Sequence, residues 1–121
     1  MTLVTLVSGG DAAQRETAIA ARLDQANRNA VLLEGLPSGN ATLDGLVPAP
    51  LLARIAPACM HCTGNLVMRV TLHRLLRQQP QHLFIAVATD EHIAQLRQFL
   101  SVPPYDALLS LAPPLVCGSA A

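Results

Sequence analysis

Two hydrophobic rhythms alternate along this chain. Thr2 to Val7 (TLVTLV), Ala30 to Glu34 (AVLLE) and His82 to Ala88 (HLFIAVA) are short, nearly uninterrupted apolar runs, the pattern of strands covered on both faces. Between them the period lengthens. Ala12 to Ala26 places Ala18, Ile19, Arg22, Leu23 and Ala26 at helical spacing among good helix formers, which predicts a helix. From Leu66 to Gln78, an apolar stripe of Leu66, Val70, Leu72, Leu75 and Leu76 accompanies a row of Arg69, His73 and Arg77 on another face. Glu91 to Leu100 predicts a third helix with Ile93, Leu96, Phe99 and Leu100 inward, and Ala107 to Leu111 a fourth strand. Glycine and proline punctuate these elements. Ser8-Gly9-Gly10 ends the first strand, and Gly35, Pro37 and Gly39 close the second. Leu36 to Pro50 reads as a mobile surface loop, Leu51 to Ala56 as one helical turn stopped by Pro57, and the tail from Pro113 as irregular.

Strands alternating with helices specify an α/β domain, a three-layer sandwich with a mainly parallel sheet, spanning residues 1–121 as a single unit. At 121 residues the chain can bury a real core without disulfides or a structural metal. Charge narrows the function classes. Eight acids balance eight bases, so no basic stripe marks a nucleic-acid or acidic-membrane binder. All eight cations are arginines, which excludes Schiff-base and lysine-dependent phosphate chemistry. Only Phe84, Phe99 and Tyr105 could offer stacking surfaces. No stretch reaches the length of a membrane span and no leader pattern opens the chain, so a cytoplasmic location is expected.

Ligands of parallel sheets gather beyond the carboxyl ends of the strands, so the first β–α loop is a natural site. Gly9 to Glu16 stands where a phosphate-binding loop, G-x-x-x-x-G-K-[ST], would lie. Gly9 fits. Gln14, Arg15 and Glu16 replace the second glycine, the lysine and the magnesium-holding hydroxyl, and Thr17 comes one position late. Gly9, Gly10, Arg15 and Thr17 are the residues that could hold a phosphate, weakly, because a carboxylate at Glu16 would repel it. The plainer reading is a strand-to-helix turn.

Chemistry concentrates at Cys59-Met60-His61-Cys62. Thiolate and imidazole suit zinc and similar transition metals, but a closed structural site needs a second ligand pair, and Cys117 stands far along the chain. An open site completed by Glu34, water or a second copy is expected, which suits transfer better than permanent structure. Buried, inert cysteines and a redox dithiol are the competing readings. Three cysteines make a disulfide framework unexpected. The row Arg69, His73, Arg77 could face an anion, although such rows are usually solvated. Asp90-Glu91 reads as a cap for the following helix.

In order and spacing these segments resemble the first half of the CobW-like metal-chaperone GTPases, which have a P-loop NTPase fold. Leu3 to Leu23 corresponds to the P-loop unit, Val31 to Glu34 to a strand ending in Asn-Glu, Cys59 to Cys62 to a Cys-x-Cys-Cys motif, and Leu83 to Ala88 to the second-phosphate strand. Ala107 to Leu111 falls where the family has a strand ending in Val-Asp. The resemblance implies a strand order 2-3-1-4 and a metal site at Cys59, His61 and Cys62 with Glu34. Departures are as telling. Ala86 and Thr89 replace an acid and a phosphate-sensing glycine, and without any lysine the guanine-reading Asn-Lys-x-Asp motif is missing. The expectation is a shortened, degenerate relative that does not hydrolyse GTP, with neither GTP nor magnesium expected as a cofactor. It would act as a zinc-type metal-binding or metallochaperone accessory protein with a metal-receiving client. A homodimerising or docking interaction module and a weak nucleotide binder are the alternatives. Nucleic acid and membrane partners are not expected.

Overall fold

A computed structural model describes residues 2–23, 28–34, 51–55, 66–87, 93–103 and 105–117. Strand β1 (Thr2–Gly9) leads into helix α1 (Ala12–Ala20) and strand β2 (Asn29–Glu34). Strand β3 (Leu51–Ile55), helix α2 (Leu66–Arg77) and strand β4 (His82–Ala86) follow. Helices α3 (Ile93–Leu100) and α4 (Tyr105–Leu108) then precede short strands β5 (Leu109–Leu111) and β6 (Leu115–Cys117). The strands pair throughout in parallel, in the order β3-β2-β4-β1-β5, with β6 also on β1. The four expected strands, β2-β4-β1-β5 in this numbering, therefore lie in the expected order.

Alternating side chains of the sheet serve two cores. Val4, Leu6, Ala30, Leu32, Leu83 and Ile85 meet Leu72 and Leu75 of α2, Leu96 and Leu100 of α3, and Tyr105 of α4. On the other face Val7, Val31, Leu33, Phe84 and Ala86 meet Ile19 of α1 and Cys117 of β6. Helices thus cover both faces, which makes three layers and explains why β1, β2 and β4 read as continuous apolar runs.

Several boundaries differ from expectation. Leu51 to Ile55 is a strand rather than a helical turn. Leu51 and Ala53 pack on the α2 side and Leu52 on the α1 side, the alternation of a strand, which five residues are too few to distinguish from a turn. Helix α1 stops at Ala20, short of the expected Ala26, with its C-cap at Ala21. Ala107 and Leu108 belong to α4, so β5 is shorter than the strand expected there. The described part of the tail, as far as Cys117, is not irregular throughout. Val4 pairs with Leu111 and Val7 with Leu115, so four steps on the outer strand oppose three on β1. β5 and β6 are therefore one edge strand with a single extra residue at Ala112-Pro113-Pro114. Ala112 N–H still donates to the Val4 carbonyl at 2.8 Å, and the prolines, which have no N–H to give, occupy the bulge. The expected loop Leu36 to Pro50, and Asp90-Glu91 as a cap, lie outside the described residues.

Candidate functional site

β1 is followed by α1 on one face of the sheet, whereas β4 is followed by α3 and α4 on the other. The first connection leads to β2 on one side of the β4–β1 pair and the second to β5 on the opposite side. Their divergence makes the carboxyl ends of β1 and β4 the topological switch point, where open α/β sheets bind ligands. Gly9, Gly10 and the start of α1 stand there.

The backbone of this loop explains its glycines. Gly9 has φ +80°, and a Cβ there would lie 2.3 Å from the Cys117 carbonyl oxygen of β6. Gly10 has φ +61° and is crowded only by the Gln14 side chain. Asp11 then caps α1. Its Oδ1 accepts from Gln14 N–H at 2.8 Å, and Gln14 Oε1 accepts from Asp11 N–H at 2.8 Å, a reciprocal capping box. The sequence signal for this cap is D-x-x-Q at Asp11 to Gln14.

Arg15, in the place of the phosphate-reaching lysine, folds back. Its Nη1 donates to the carbonyls of Gly9 (3.1 Å) and Gly10 (2.8 Å), and the side chain is nearly buried. The positive end of α1 already faces the Asp11 carboxylate, so an incoming phosphate would meet like charge at the spot where a helix N-terminus normally attracts it. Thr17 is exposed and lies along a groove between α1 and β6, with Arg22 and Leu115, rather than beside Arg15. Glu16 does not face the loop at all. It is 2% exposed, and its two carboxylate oxygens each lie 3.5 Å from an Arg54 nitrogen on β3. The expected repulsion of phosphate by Glu16 is thus replaced by an ion pair across the α1 layer. Neither partner's role could be read from the sequence, because 38 residues separate them.

Of the expected metal ligands, Glu34 is described. It is the buried last residue of β2, and its Cα is in register with Ile55, the last residue of β3. Cys59, His61 and Cys62 lie outside the described residues. Among the described residues no three His, Cys, Asp or Glu side chains converge as a metal site. Cys117 is a free, buried thiol at the far side of β1.

Two histidines have specific partners. His82 Nε2 lies 2.9 Å from Thr5 Oγ1, and its ring stacks on Phe84 with centroids 4.1 Å apart. Burial lowers its pKa below the ordinary 6.5. His73 Nε2 lies 2.8 Å from the Tyr105 hydroxyl. Burial raises the phenol's pKa above 10, which the nearby Arg69 charge opposes. No helix among the described residues is long and apolar enough to cross a membrane. No family profile, curated protein or solved structure matches the chain.

Proposed function

We propose that this chain is a non-hydrolysing protein with a P-loop NTPase-like α/β fold, related in descent to the CobW-like GTPases. It binds a zinc-type metal ion through Cys59, His61 and Cys62, with Glu34 as an oxygen donor, for delivery to a client protein. The observation that carries the reading is the register of β2 with β3: Glu34 and Ile55 end side by side, and Cys59 follows only four residues later. Four residues of chain reach at most about 14 Å, a span that would allow Cys59 to approach Glu34. Two thiolates, an imidazole and a carboxylate satisfy the tetrahedral preference of zinc. The strand order supports the descent. Arg15 and Asp11, which occupy the loop with their own hydrogen bonds, support the loss of hydrolysis and weigh against a nucleotide-binding role.

A zinc titration against a chromophoric chelator tests this. The parent takes up one equivalent, Cys59→Ala/Cys62→Ala takes up none, and Glu34→Gln binds about ten-fold more weakly. Unchanged stoichiometry in the double cysteine variant overturns the site. Calorimetry with GTP and magnesium gives no binding heat at millimolar concentration, and turnover that follows the purified protein would overturn the loss of hydrolysis.

A further inference from the structure

Helix α2 carries three of the chain's eight cations, Arg69, Arg74 and Arg77, together with His73, and no acid. Helix α4 beside it adds one acid, Asp106. All four α2 side chains are exposed, as is Val70 at 59%. A merely solvated row would have no partners beneath it, but this one does. The Arg69 guanidinium carbon lies 5.8 Å from the Phe99 ring centroid, Phe99 meets Tyr105 edge-on at 4.8 Å, and Tyr105 bonds His73. Phe99 of α3 and Tyr105 of α4 thus brace Arg69 and His73, which lowers the entropy lost when that part of the face engages a partner. Next to His73 and Arg77 is a cleft floored by Leu76 and by Leu108, which is 47% exposed.

We propose that this face docks an acidic amphipathic peptide segment of a partner protein. Carboxylates of the segment pair with Arg74 and Arg77, for which the planar guanidinium is suited, and a leucine-type side chain enters between Leu76 and Leu108. Charge complementarity selects an acidic partner, and the apolar floor selects a peptide over nucleic acid. Single-stranded nucleic acid would need outward-facing rings to stack on, whereas Tyr105 is buried and Phe99 is half-buried, with Arg69 over its ring and Tyr105 edge-on to it. The inference does not depend on the metal reading.

The test uses the whole protein and a fluorescein-labelled peptide of about twelve residues alternating leucine with aspartate and glutamate, followed by anisotropy. The parent binds, and more weakly as salt rises from about 50 to about 300 mM. Arg74→Glu/Arg77→Glu binds at least about thirty-fold more weakly with an unchanged unfolding midpoint, and Leu108→Ser loses several-fold. Arg22→Glu, which reverses an exposed cation just beyond the end of α1, binds like the parent. The proposal is overturned if the parent does not bind, or if the double variant binds equally. It is equally overturned if a leucine-free acidic peptide binds as well, or if an oligonucleotide of matched charge binds more tightly.

Discussion

The neighbouring glycines at the end of β1 do different work. At Gly9 a Cβ would strike the backbone of β6, which cannot move without leaving the sheet, and the positive φ adds strain. At Gly10 the nearest obstacle is the Gln14 side chain, whose end can shift at the cost of its bond from Asp11 N–H. Gly9→Ala is therefore expected to cost about 2 kcal/mol or more, and Gly10→Ala about 1 kcal/mol, as read from urea unfolding midpoints at constant slope. Equal effects would contradict the close approach of Cys117. His82 gives the chain a pH response. Because the folded state lowers its pKa, the unfolded chain binds the proton more readily just below 6.5. Stability from this group is complete above about 6.5 and falls as pH drops below it. In urea melts between neutral and mildly acidic pH, His82→Gln should flatten that part of the decline. The glycines were legible in the sequence as a turn, but their differing strictness was not, because it depends on a strand more than a hundred residues away.

Elements were legible where periodicity ran long enough to be unambiguous. Helix α2 was legible as an element but not residue by residue: Leu72 and Leu75 face the core while Val70, expected in the same apolar stripe, faces out. Leu72→Ala should cost about 3 kcal/mol through the cavity it leaves, and Val70→Ala less than about 0.5 kcal/mol, which thermal or urea unfolding separates readily. Strand β3 was not legible, because five residues are too few to show a period and Arg54, the fourth of them, interrupts the apolar run of LLARI. The arginine belongs there because α1 lowers Glu16 onto it. Replacing Arg54 with methionine leaves that carboxylate buried without its cation and should cost about 2 kcal/mol, whereas Glu16→Leu/Arg54→Met recovers most of the loss. A double-mutant cycle in denaturant measures the coupling, and a value near zero would show that the pair contributes little.

For the whole molecule, the hydrophobic rhythm was enough to give the layer architecture and the parallel sheet, because each buried strand and amphipathic helix has few ways to cover its apolar face. Chemistry at the strand ends was less legible. Arg15 could be read equally as a phosphate ligand or as a loop fastener, and only its bonds to Gly9 and Gly10 distinguish them. The sheet also sets Cys117 apart from Glu34. Cys117 on β6 is separated from Glu34 on β2 by β1 and β4, three strand spacings or about 14 Å. Cys117→Ala should therefore leave the zinc stoichiometry of the parent unchanged, and a lost equivalent would mean that the two ends of the sheet share one ion.

The paired prolines between β5 and β6 have a consequence for how copies of this protein behave when crowded. A foreign strand sliding along that flank meets a kink with two missing donors midway, so it cannot zip from end to end. Intermolecular sheet growth stalls on that border, and the molecule is protected against fibrous assembly there.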